Sequence, residues 1–176
     1  MLRNALITVS LVVSATSLAL GQQSSRADFE ELLQAMEGRW IGDVTWITDW
    51  PGLGKKGDKT TGYVELRVIA DGNVLLGTFY GGRGTDSWMT VYDAASKQIK
   101  TLEGDSGGSI SSYVWYKEGD HWIATGAGSL ADGSKVEFRN TVTISDGGNT
   151  HTYTGTTTIA GKRGNDLHDV WRRVYK

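Results

Sequence analysis

From Gly38 onward the apolar residues of this chain recur at every second position, and they do so nearly to the C-terminus. A period of two puts successive side chains on opposite faces of an extended backbone, so the chain must pair strands and bury one face of each. Immediately before Gly38 the period is different. Phe29, Leu32, Leu33 and Met36 recur at helical spacing over residues 28–36 and form one apolar stripe. Ser25 or Asp28 suits the start of that helix, and Gly38 suits a left-handed stop. One amphipathic helix cannot bury its stripe alone, so it must lie against the strands as a lid or a plug.

Ten strands are expected: residues 39–50, 60–69, 74–80, 87–92, 98–102, 110–117, 121–127, 135–145, 150–159 and 167–175. In the first, Trp40, Gly42, Val44, Trp46, Thr48 and Trp50 share a face; in the second, Val64, Leu66 and Val68 point inward. Turn sequences such as Ala70-Asp71-Gly72-Asn73, Glu118-Gly119-Asp120 and Ala131-Asp132-Gly133 separate them. The 24 glycines against a single proline fit many strands joined tightly. Short connections force antiparallel neighbours, and sequential antiparallel strands remove their free edges by closing. The fold class is therefore all-β: an up-and-down antiparallel β-barrel of about ten strands with a short N-terminal helix. A two-sheet sandwich is the alternative, disfavoured because no long crossover connection is visible.

Residues 1–21 read as a signal peptide: Arg3, then an apolar run from Ala5 to Val13, then small residues at Ala19 and Gly21 before a cleavage point at Gln22. The run is short for a bilayer span. Residues 22–176 then form one domain, secreted or periplasmic, with no integral membrane span after signal removal. The chain has no cysteine, which excludes disulfides, cysteine metal sites and a lipid anchor at the cleavage point. A net charge of −2 with both signs interspersed makes no case for nucleic acid. Outward positions carry Glu65, Arg67, Lys135, Glu137 and Arg139, a pattern that a lipid-facing barrel could not tolerate.

The order of these elements resembles the calycins, the lipocalins and their relatives, and is most similar to the lipocalin-like domains of secreted bacterial proteins. The matching residues are Gly38-Arg39-Trp40, opening the first strand after a helix, and Val170-Trp171-Arg172-Arg173-Val174 in the last. The resemblance implies that the tryptophan plugs the closed end of the barrel and that an arginine of the last strand lies across it. Both Arg172 and Arg173 qualify, and Arg172, alternating with Val170 and Val174, is favoured. The chain departs from typical secreted lipocalins in having no disulfide and about ten strands instead of eight.

Few motifs suggest chemistry. Gly104-Asp105-Ser106-Gly107-Gly108 spells the segment around a trypsin-like nucleophile, but no histidine precedes it, so it reads as a hairpin loop. His121, His151 and His168 lack local metal-ligand spacing. No metal and no cofactor is expected; a haem held by His151 or His168 is the exception open to a simple absorbance test. Gly52-x-Gly54-Lys55-Lys56 lacks the phosphate-loop pattern.

The aromatic residues carry the strongest functional signal. A wide barrel that its own side chains do not fill encloses a cavity. The expected ligand-binding residues are Trp46, Trp50, Phe79, Trp88, Trp115, Trp122, Phe138, Asn140, His151 and Tyr153. They point to a small hydrophobic or amphipathic molecule as the partner, held at the open end near Trp46 and Trp50. An enzyme is the less favoured reading and no catalytic residue is assigned. An isomerase or hydrolase in the same lumen would need two or more of Asp43, Asp49, Glu65, His151 and Tyr153 to converge inside. A carbohydrate- or protein-interaction module using loops near Trp50 and Trp88 is a further alternative.

Overall fold

The computed structural model describes residues 22–175; the expected signal peptide lies outside the described residues. One helix, α1 (Arg26–Met36), precedes ten strands: β1 (Gly38–Thr45), β2 (Lys59–Ile69), β3 (Val74–Gly81), β4 (Gly84–Asp93), β5 (Gln98–Asp105), β6 (Ile110–Glu118), β7 (His121–Ser129), β8 (Lys135–Ser145), β9 (Thr150–Ile159) and β10 (Lys162–Tyr175). Each strand pairs antiparallel with its sequence neighbours, and β1 closes on β10, giving a ten-stranded barrel with no free edge.

The helix starts as its sequence dictates. The Ser25 side chain accepts from the Asp28 backbone N–H, and the Asp28 carboxylate accepts in return from the Ser25 N–H. The helix stops differently from the expected left-handed turn. Glu37 leaves the helix in an extended conformation, and Gly38 opens β1 at φ 135°, a value that favours glycine. The helical stripe of Phe29, Leu32, Leu33 and Met36 is almost fully buried, in one cluster with Trp40. Burying four such side chains is worth about 1.5–3 kcal/mol each, so the helix is part of the core.

The helix closes one end of the barrel. Arg26 donates to Asn73 Oδ1 and the Gly72 carbonyl in the β2–β3 turn, Ser24 bonds the Lys97 and Trp115 carbonyls, and Lys117 Nζ meets Glu31 Oε2 at 2.5 Å. Arg173 ties down its C-terminus by donating to the carbonyls of Ala35 (2.8 Å) and Glu37, and to that of Gly148 in the β8–β9 connection. Its guanidinium carbon stands 4.1 Å from the centre of the Trp40 ring. The arginine on the tryptophan is thus Arg173, and the preference for Arg172 is corrected. The β1–β10 register sets Trp40 directly beside Arg173, with an irregularity between Arg39 and Trp40, and Arg172 falls on the exposed face.

The first strand is shorter than its alternation implies. It ends at Thr45, and residues 46–58 fold across the opposite end of the barrel. Trp50 and Gly54 pair as an isolated bridge, Leu53 is buried, and the Leu53 carbonyl accepts from the Arg83 N–H in the β3–β4 turn. Both ends are therefore covered, one by a helix and the other by a loop.

Candidate functional site

Between helix and loop lies a lumen of about 310 Å³. Eight of the ten expected binding residues line it: Trp50 from the loop, Phe79, Trp88, Trp115, Phe138, Asn140, His151 and Tyr153 from the strands. Two do not. Trp46 packs edge-on behind Phe79, ring centres 6.2 Å apart, because β1 has already ended and its alternation no longer applies. Trp122 is buried in the core under the Lys117 ammonium, 5.2 Å from the ring centre, and is likewise outside the lining. Trp88 lies across Gly77 on the neighbouring strand. A Cβ there would stand 2.0 Å from the indole, so only glycine leaves the ring its place.

Trp40 and His151 form the end of the lumen beneath the helix. Their rings stack at 3.8 Å, with Arg173 near Trp40 as described. Burial, and then the positive Arg173, push the imidazole down to about 4, against a smaller opposing effect of its bond to the Ala35 carbonyl. The ring is neutral near pH 7. Its Nε2 is buried and has no partner, so Nδ1 carries the proton given to Ala35. His168, the other histidine considered, is exposed.

The opposite half of the lumen is acidic. Asp86 on β4 and Glu103 on β5 both line it. Burial, then the charge and hydrogen bond of Glu103, then the charge of Asp105 raise the Asp86 carboxyl to about 9. Near neutrality Asp86 therefore holds its proton. The Tyr113 hydroxyl is bonded to Glu103, and burial together with that negative charge keeps it firmly protonated. Asp105 faces the loop: its Oδ2 accepts from Trp50 Nε1 at 2.6 Å, and its Oδ1 accepts the N–H groups of Gly107 and Ser109. Asp169 on β10 also lines the lumen, and burial lifts it to about 6.

Of the five groups whose convergence would favour catalysis, His151 and Tyr153 do meet at the lumen. Asp43 and Asp49 are exposed, and Glu65 pairs with Arg39 outside at 3.0 Å. The glycine-rich segment 104–108 is a hairpin loop. Ser106 Oγ accepts the Thr85 N–H at 3.0 Å, and its own N–H donates to the Thr85 carbonyl, clipping two connections together.

Sequence reasoning missed Asp86, Glu103, Tyr113 and Asp169. The available signal was parity: Asp86 shares a face with Trp88 and Thr90, and Glu103 with Thr101.

No family model matches this chain and no curated protein does. The barrel is similar to the crystal structure of Rv2717c from M. tuberculosis, with a TM-score of 0.54 over 82% of this chain and 96% of that one, at 14% identity. At that identity the likeness is one of fold alone. Among the described residues, no helix is long and apolar enough to cross a membrane.

Proposed function

We propose that this protein is an exported carrier that holds a small, largely apolar or amphipathic molecule inside its barrel. The observation that carries this reading is the lumen itself: about 310 Å³, walled mainly by aromatic rings and covered at both ends. That volume lies at the lower end of the range for small-molecule sites. Trp50, Trp88 and Trp115 line it and would report occupancy directly. Titration with a neutral naphthalene probe should quench tryptophan emission saturably at one site per chain. A flat titration, together with native mass spectra free of bound small molecules, would remove this reading. Export is tested by fractionation: the mature chain should begin at Gln22 and appear outside the cytoplasm.

A second reading, acid–base chemistry in the same lumen, is favoured by the Asp86–Glu103 pair, because a buried carboxyl raised to about 9 beside a second carboxyl is a candidate general acid. It requires that a bound compound be converted by the wild type and not by Glu103→Gln.

A further inference from the structure

Four buried side-chain polar atoms among the described residues have no hydrogen-bond partner: Asp86 Oδ1, Asn140 Oδ1, His151 Nε2 and Ser109 Oγ. The first three belong to residues that line the lumen, and all three are acceptors. Asn140 Oδ1 is an amide oxygen, the neutral imidazole has its hydrogen bond to Ala35, and the Asp86 carboxyl has its side-chain hydrogen bond to Glu103, which leaves Oδ1 to accept. A ligand that displaces solvent from here must supply donors in its place, or leave buried acceptors unmet.

The charge points the same way. Among the described residues lining the lumen none is lysine or arginine, whereas Asp86, Glu103 and Asp169 are present. The Arg173 guanidinium is directed to backbone carbonyls beneath the helix, and Arg173 does not line the cavity. A fatty acid or other carboxylate would therefore enter a negatively charged chamber with no counter-ion. Trp50, Trp88 and Tyr113 lie in the same half of the lumen as the carboxyl pair, and aromatic rings attract cations to their faces.

We propose that the lumen is a site for an organic cation: a compact apolar body bearing a protonated amine, its N–H groups taken up by the Asp86–Glu103 carboxyls beneath the Trp50 loop. This rests on the lumen reading above and specifies the class of ligand.

The test is a matched series with one body and three head groups: 1-naphthylmethylamine, 1-naphthylmethanol and 1-naphthoate, each titrated into the full mature chain at pH 7 by calorimetry and tryptophan quenching. The amine should bind on the order of tenfold more tightly than the alcohol, and the carboxylate most weakly. Glu103→Gln should cost the amine on the order of tenfold and the alcohol markedly less, narrowing the gap between them. If that variant does not fold, the wild-type series decides alone. Binding of the alcohol or the carboxylate as tight as that of the amine overturns the cation assignment and leaves the lumen reading standing. Saturable binding by none of the three overturns both.

Discussion

His151 shows how a single buried side chain links stability to pH. Its folded value of about 4 lies below the ordinary 6.5, so the unfolded chain binds the proton more readily. The neutral ring's contribution is complete above pH 6.5 and is lost as pH falls toward 4, by about 3 kcal/mol at most. Asp169 works the opposite way. Its raised value of about 6 adds stability that is complete below the ordinary carboxylate value and is lost as pH rises through 6. The two windows overlap, so the wild-type profile alone blurs them. Urea unfolding of wild type and His151→Phe at pH 7 and pH 4.5 separates them: the variant should lose markedly less stability on acidification. An equal loss in both would show that the ring is not held neutral. Arg173 is the cause of part of this shift, and it is also the bracket between helix, β10 and Trp40. Arg173→Ala should cost about 2–4 kcal/mol through lost carbonyl bonds and the lost cation–π contact, whereas Arg172→Ala, on the exposed face, should stay within about 0.5 kcal/mol. Equal effects in thermal denaturation would reverse that assignment.

At the scale of elements, the covering over the acidic end is the 46–58 loop, held by the Trp50 indole on Asp105, by the buried Leu53 and by the Arg83 N–H on the Leu53 carbonyl. Trp50→Phe keeps the ring and removes that bond, leaving Asp105 its contacts to Gly107 and Ser109. The variant should change global stability by about 1 kcal/mol while raising the cleavage rate within 46–58 under limited proteolysis severalfold. Unchanged cleavage would mean that the bond does not hold the loop. This same segment marks where the sequence stops being readable. Trp46, Thr48 and Trp50 continue the alternation of β1, so nothing local signals that the strand ends at Thr45; loop contacts to Arg83 and Asp105, distant in sequence, decide it. The strands themselves were legible because turns and alternation agreed, and residues 135–145 and 150–159 match β8 and β9 to the residue. The lumen was legible mainly where it is aromatic, with Asn140 the non-aromatic exception. In β4 and β5 the usual pattern is inverted: Met89 and Leu102 are about half exposed, while Asp86 and Glu103 face inward. A functional interior breaks the rule that makes strand parity readable, so its carboxyls looked like surface charge.

For the whole molecule, the two coverings are unequal, and that inequality assigns the route into the lumen. The helix contributes four almost fully buried apolar side chains, is capped at its start, and is bound at its end by Arg173. Its burial, about 6–12 kcal/mol in total, is comparable with the entire stability of a domain this size, so it cannot leave without unfolding the barrel. The 46–58 loop buries Leu53 and makes a handful of hydrogen bonds, so its opening costs far less. Exchange of ligand should therefore pass the loop. Hydrogen–deuterium exchange read by mass spectrometry should place residues 29–36 with the strands, exchanging only through global unfolding, and residues 46–58 in a faster local class. A bound ligand should slow exchange in the loop much more than in the helix. Faster exchange in the helix than in the loop would move the gate to the Trp40 end, where entry would have to pass the stacked Trp40 and His151 rings.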